Sequence, residues 1–275
     1  PFTSLRELEQ ASLRLEQENS INDPEYIKWL NMLMAPGSSL GGARPKASVI
    51  DPSQQLWIAK FPSKFDDRNT GAWEMVVHNL AKQAQINVAD AFIEKFSGRH
   101  HTFITKRFDR IQHQRIHFAS AMTLLGYSDG ADFQEGVSYL QLAEFIMQNG
   151  VNIENDLEEL WRRIVFSICV SNTDDHLRNH GFLLTPKGWE LSPAYDINPN
   201  ENGSGLKLNI SETDNALEID LAIEVAPYFR IKNDKAKQIV ESVKKAVSTW
   251  KTVASHYKIS KNDQELMDRA FENSL

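Results

Sequence analysis

The chain has 275 residues, with 30 Lys and Arg against 37 Asp and Glu, a net charge of −7. That length supports a real core in one large domain or two small lobes, and an apolar share of 41% with few Gly and Pro excludes disordered and fibrous chains. The acidity argues against direct binding to nucleic acid or an anionic lipid surface, and no apolar run approaches the roughly 20 residues of a membrane helix. Cys169 is the single cysteine, so an intramolecular disulfide is excluded and a reducing cytoplasm suits the chain. The start, PFTSLRELEQ, lacks a basic stretch followed by an apolar core, so no signal peptide is expected. It also lacks an initiator Met, which reads as a processed or truncated N-terminus.

Residues 3–34 read as helix. Thr3 is placed to cap it, Leu5, Leu8, Ser12 and Leu15 recur near helical spacing, and Asn22-Asp23-Pro24 restarts a second helix carrying Tyr26, Ile27, Leu30 and Met34. The Gly- and Ser-rich stretch 35–46 follows, and then two β-type runs, ASVID and LWIAKFP, with a turn at Pro52-Ser53. AWEMVVHNLAKQAQ repeats Trp73, Val76, Val77, Leu80, Ala81 and Ala84 at helical spacing. Two further β-rich runs, DAFIEKF and HTFITKRF, are divided at Gly98. The order strand, strand, helix, strand, strand predicts a small α+β lobe whose Gly-rich loop opens onto its first strands.

From about residue 115 the pattern is largely helical. Leu157, Leu160, Trp161, Ile164, Val165, Ile168 and Cys169 share one helical face, so this helix is expected at the centre of a second lobe. SNTDDHLRNHGFLL, with a short strand at GFLL, and KGWELSPAYDINPN follow it. Residues 215–275 read again as helices, with Ile239, Val243, Val247, Trp250 and Tyr257 on one face. The working organisation is an N-terminal helical segment (1–35), an N-lobe (36–112) and a helical C-lobe (113–275), with a hinge near 108–115.

Three places carry residues suited to chemistry. Gly37, Gly41 and Gly42 would let backbone N–H groups approach phosphate oxygens, with Arg44 and Lys46 adding positive charge; a plain surface turn is the alternative. The spacing is not that of a Walker A loop. Lys60 ends an apolar strand and wants a partner, which Glu74 on the next helix is placed to supply; a strand lysine held by a helix glutamate orients a cation on nucleotide phosphates in kinase-like folds. A solvent-exposed edge lysine is the alternative. Asp174, Asp175, His176 and Asn179, followed by Asp196 between Tyr195 and Ile197, form the third place. An Asp followed five residues later by an Asn resembles in spacing the D-x-x-x-x-N catalytic loop of protein kinases, and carboxylate and amide oxygens suit Mg²⁺. His176 and His180, four apart and near three acids, leave open a metal-dependent hydrolase, although Leu177 stands where a zincin would place Glu.

Taken together, GSSLGGARPKA, WIAKFPS, the acid of GAWEMVVHNLAKQAQINVADAF, ITKRFDR, SNTDDHLRNHGFLL and LSPAYDI resemble, in order and spacing, the HipA-like serine/threonine kinases, toxins of HipBA-type toxin–antitoxin modules. The resemblance covers about residues 36–260. It implies a bilobal, α+β, protein-kinase-like fold, distantly similar to phosphatidylinositol kinases, that moves the ATP γ-phosphate to protein serine or threonine. It implies Asp174 as catalytic base, Asn179 and Asp196 as Mg²⁺ ligands, and Lys60, steadied by Glu74, on the α/β-phosphates. Gly41, Gly42, Ala43, Arg44, Pro45 and Lys46 would cover the phosphates, the backbone of Lys106, Arg107 and Phe108 would form the adenine hinge, and His176 and Tyr195 would lie beside the nucleotide. It further implies autophosphorylation on Ser39, with Ser38 adjacent, which would repel nucleotide phosphates and switch the kinase off. The implied partners are a HipB-like helix-turn-helix antitoxin and a target among translation components such as an aminoacyl-tRNA synthetase. Longer members carry about a hundred further N-terminal residues, so the chain resembles a short form whose missing subdomain is a separate protein, or a truncated one. A non-catalytic nucleotide-binding module on the same fold is the alternative reading.

Overall fold

The computed structural model describes residues 5–18, 20–33, 44–111 and 114–274. The chain divides into two compact units, one of Pro1–Met75 with Ala89–Gln112, the other of Val76–Val88 with His113–Leu275. The division falls inside one helix, α3 (Thr70–Gln83).

The first unit holds helices α1 (Leu5–Leu15) and α2 (Tyr26–Leu33), and strands β1 (Lys46–Ile50), β2 (Leu56–Lys60), β3 (Ala91–Glu94) and β4 (Thr102–Lys106). The strands form an antiparallel sheet in the order β1-β2-β4-β3. Period-two alternation decides which face is covered. Ala47, Val49 and Ala59 turn to one side and join Leu5, Leu8, Phe61 and Ile104 in a single apolar cluster. Helix α1 is therefore built into the core of this unit. The α1 carboxylate of Glu9, fully buried, accepts hydrogens from the Ser97 and Gly98 amides and from the Ser97 and Thr102 hydroxyls at 2.7–3.1 Å. Such a fan of donors is what makes a buried carboxylate tolerable.

The second unit begins with the later turns of α3, and the two-residue strands β5 (Arg110–Ile111) and β6 (Gln114–Arg115) lie around the other boundary. It continues through strand β7 (His117–Ser120), helices α4 (Ala121–Leu125), α5 (Tyr139–Asn149) and α6 (Ile153–Cys169), strands β8 (Gly181–Thr185) and β9 (Gly188–Leu191), and helices α7 (Ile219–Val225), α8 (Asn233–Val247), α9 (Trp250–His256) and α10 (Lys261–Met267). Helix α6 runs through the core: every residue from Leu160 to Cys169 is buried, more than the single apolar face in its sequence requires. The extra polar positions have partners, since Arg163 Nη2 donates to Ser192 O at 2.7 Å and Nε to Glu159 at 2.9 Å.

Strand β7 departs from the helical reading of this stretch. HFAS is short, and its pairing is set by a distant segment: Ser120 and Phe118 align with Gly181 and Leu183 in the antiparallel order β7-β8-β9. A side chain at Gly181 would meet the Phe118 ring at 2.1 Å, so glycine is required for this approach. The C-terminal apolar face also breaks, α8 ending at Val247 and α9 restarting at Trp250, where the indole stacks on Phe271 at 4.4 Å between centroids.

Candidate functional site

In the first unit, β1 and β2 align Lys46 directly with Lys60 on the face opposite the apolar cluster. Two like charges at opposed positions repel. Lys60 Nζ lies 2.5 Å from Glu74 Oε1 on α3, both side chains nearly buried, and 5.7 Å from the Phe103 ring centroid. The strand fixes the lysine and the helix supplies its counter-charge, so the ammonium is held in one direction instead of snorkelling to solvent.

Arg44, the first described cation of the Gly-rich stretch, is held by an acid. Its guanidinium makes two hydrogen bonds to the Asp66 carboxylate, at 2.6 and 3.0 Å, and reaches Phe61 O at 3.4 Å, tying the chain before β1 to the loop after β2. Pro45 O accepts the Phe61 amide at 2.9 Å. Gly37, Ser38, Ser39, Gly41, Gly42 and Ala43 lie outside the described residues. At the end of β4, the Lys106 amide donates to Asp90 O and the Arg107 amide to Leu56 O, so these two N–H groups serve the sheet. Beyond them Arg107 and Arg110 grip Asp109 from 2.5 to 2.8 Å. Burial works to raise the Asp109 pKa, but the two guanidinium groups outweigh it and hold the carboxyl below its ordinary value.

In the second unit, α6 ends at Cys169 and Ser171 takes a left-handed conformation (φ 48°), turning the chain out of the core. The loop that follows separates two adjacent acids. Asp174 is exposed and Asp175 is buried. Asp174 O accepts the His176 amide and Asn179 Nδ2, both at 3.0 Å, which closes the loop and leaves the Asn179 carbonyl oxygen as that side chain's remaining polar atom. Asp175 accepts the Tyr139 hydroxyl at 2.6 Å, with Ser167 Oγ at 3.5 Å and His180 Nε2 at 3.2 Å, the last an ion-pair distance without hydrogen-bond alignment. Burial pushes the Asp175 pKa up, yet the His180 ring and the Tyr139 hydroxyl outweigh it and hold the carboxyl below the ordinary aspartate value.

Asp196 follows β9 in the left-handed region (φ 60°), with Asn198 Nδ2 3.5 Å from its Oδ1. Tyr195 donates its hydroxyl to Arg178 O at 2.6 Å. Asn179 and both neighbours of Asp196, Tyr195 and Ile197, border one small cavity with Asn172, Asp175 and His180. The asparagines after Asp196 latch this segment to the loop: the Asn198 amide donates to Asn172 Oδ1 (3.1 Å), the Asn200 amide to Ser171 O (3.1 Å) and Asn200 Nδ2 to Thr173 Oγ1 (2.7 Å). This ladder escaped the sequence reading, and the run INPNENG was its only trace.

Asn179 and Asp196 carry amide and carboxylate oxygens, the donor types Mg²⁺ takes, and Asn198 Oδ1 is a buried oxygen without a hydrogen-bond partner among the described residues. Both histidines act on the Asp175 carboxylate, but they face different neighbours. His180 is buried against Asp175, whereas His176 Nε2 is 3.3 Å from Arg178, and among the described residues no group of three or more His, Cys, Asp or Glu is placed to share a metal ion.

Comparison with solved structures defines the fold class. HipA of Shewanella oneidensis MR-1, solved with HipB and operator DNA, superposes with a TM-score of 0.67 at 19% identity over 91% of this chain and 68% of that one. The Helicobacter pylori proinflammatory kinase CtkA superposes with a TM-score of 0.53 at 12% identity over 83% of this chain and 94% of that one. The architecture is thus the α+β, protein-kinase-like fold. The model of the HipA-like C-terminal domain matches residues 38–250, and the chain belongs to that family. The serine/threonine-protein kinase toxin HipA of Shewanella oneidensis is 31% identical over 190 residues, 59% of this chain and 43% of that protein. A protein named as a kinase in Haemophilus influenzae is 28% identical over 180 residues, 58% of this chain and 52% of that protein. The chain therefore spans about half the length of these curated relatives. No helix among the described residues is long and apolar enough to cross a membrane.

Proposed function

We propose that this chain is an ATP- and Mg²⁺-dependent serine/threonine protein kinase of the HipA type. The observation that carries this is the Lys60–Glu74 ion pair on a strand that also aligns Lys46 with Lys60: two cations on one sheet face, one already oriented by a carboxylate, suit a polyanionic nucleotide. Family membership and the Asp174 to Asn179 loop agree with it. Bound Mg²⁺ would neutralise phosphate charge, with Asn179 and Asp196 as its protein ligands. Lys60 would hold the α/β-phosphates. Asp174, exposed and backbone-anchored, would take the proton of a serine or threonine hydroxyl as its oxygen bonds to the γ-phosphorus. The bond from that phosphorus to the β,γ-bridging oxygen breaks in the same step, and ADP leaves. Positioning and electrostatics supply most of such a rate enhancement.

Autophosphorylation on Ser39, with Ser38 as the neighbouring competitor, belongs to the same proposal. So do a HipB-like antitoxin partner, a protein target in translation such as an aminoacyl-tRNA synthetase, and a cytoplasmic location. The test is incubation of the purified chain with γ-labelled ATP and Mg²⁺. Labelled protein, with the phosphate lost in Ser39→Ala, is the expected result. Retained, unreacted ATP would identify a nucleotide-binding module instead, and tightly bound zinc without nucleotide would point to a hydrolase.

A further inference from the structure

The proposed mechanism leaves unused the buried carboxylate of the loop. Asp175 lies inside the second unit, where its carboxylate meets side chains from three separate elements: Tyr139 on α5, Ser167 on α6 and His180 immediately before β8. Burying a carboxylate is expensive, and an apolar side chain of similar size would cost less at a position that served only packing. Buried polar groups gripped by several partners do best at selecting one arrangement over others. What this one selects is visible in its neighbours. Asp174, one residue before, is exposed, and its carbonyl is clasped by Asn179 from the same loop. The clasp fixes the loop only against itself. The Asp175 carboxylate fixes it against α5 and α6.

We propose that Asp175 is a positioning residue whose buried carboxylate, hydrogen-bonded by Tyr139 and lying within 3.5 Å of Ser167 and His180, locks residues 172–180 against α5 and α6 so that Asp174 faces outward and Asn179 is held beside it. The functional half of this inference rests on the kinase reading; the structural half does not. The two halves are tested together on the whole chain as wild type, Asp175→Asn, Tyr139→Phe and Asp174→Asn, by amide hydrogen exchange and by self-labelling from γ-labelled ATP with Mg²⁺.

In Asp175→Asn, exchange at residues 172–180 is expected to accelerate at least about tenfold while α8 keeps its wild-type protection, and Tyr139→Phe is expected to do the same more weakly. The maximal labelling rate should fall at least about tenfold with the half-saturating ATP concentration within about twofold, the pattern of a lost transition-state arrangement and not of lost binding. Asp174→Asn should abolish labelling and leave exchange at the wild-type level. Wild-type loop exchange in both Asp175→Asn and Tyr139→Phe would overturn the proposal, as would faster loop exchange with an unchanged labelling rate per folded molecule. Faster loop exchange in a chain whose wild type transfers no label would uphold the anchoring and remove the kinase reading.

Discussion

Replacing Asp156 with asparagine is expected to stabilise the protein at neutral pH and to do so less as the pH falls. Asp156 lies in the first turn of α6, where its Oδ2 accepts the Leu191 amide at 3.0 Å and so joins the central helix to the end of β9, five residues before Asp196. Burial is the main reason its pKa is pushed up from 3.8 to about 6, opposed by the Leu191 amide bond and Arg163 and reinforced by the charges of Glu190 and Glu159. In the window between these two values the folded chain holds a proton that the unfolded chain has released. The stabilising contribution is therefore present in full below 3.8 and is lost as the pH rises through about 6. At about 1.4 kcal/mol per pH unit the loss amounts to about 3 kcal/mol at pH 7.5. Asparagine keeps an oxygen for the Leu191 amide and carries no charge to desolvate. Asp156→Asn should consequently raise the melting temperature at pH 7.5 by about 5–10 °C, and the advantage should shrink to roughly half by pH 5. Calorimetric melting of both proteins across that range checks it. An offset that does not change with pH, or a variant less stable than wild type at pH 7.5, would show that the buried Asp156 charge is not what destabilises the wild type.

Two further perturbations probe features outside the reacting groups. Glu9→Ala removes the acceptor of four hydrogen bonds and strands donors in the Ser97–Gly98 turn; a loss of about 3–5 kcal/mol is expected, read as a lowered denaturant midpoint of the first unit. Gly203→Ala places a Cβ 2.2 Å from Thr173 Cγ2, on a stiff β-branched side chain already bonded to Asn200, so the segment after Asp196 must shift from the loop at a cost of about 1–3 kcal/mol. Combining it with Thr173→Ser, which removes the methyl at 2.2 Å and leaves the hydroxyl at 2.8 Å, should restore part of the lost melting temperature; a double variant less stable than Gly203→Ala alone would count against the methyl clash as the main cause.

The parts of the fold that rest on local periodicity were legible in the sequence. Helix α6 announces itself by its apolar spacing, and β1, β2, β3 and β4 by short β-rich runs separated by turns. Strand β7 was not, because four residues take their conformation from a partner some sixty positions away and from the absence of a side chain at Gly181. The site shows the same division. A lysine ending an apolar strand and an acid on the next helix suggested a pair, and the structure places them in contact. Asp174 and Asp175 are chemically identical neighbours in the sequence; burial alone distinguishes them, and burial here is decided by Tyr139 and Ser167, which no spacing rule connects to the loop. The charge of Arg44 is visible in the sequence, whereas its partner Asp66, 22 residues on, is set by the fold.

The proposed role of Asp174 is to take the acceptor proton in a Mg²⁺- and ATP-dependent phosphoryl transfer. It is tested most directly by comparing wild type with Asp174→Asn for label transfer from γ-labelled ATP, with nucleotide binding measured on the same samples. A fully folded variant that binds ATP as wild type does and transfers no label above background is the expected result. Transfer by Asp174→Asn at a rate near that of wild type would contradict it.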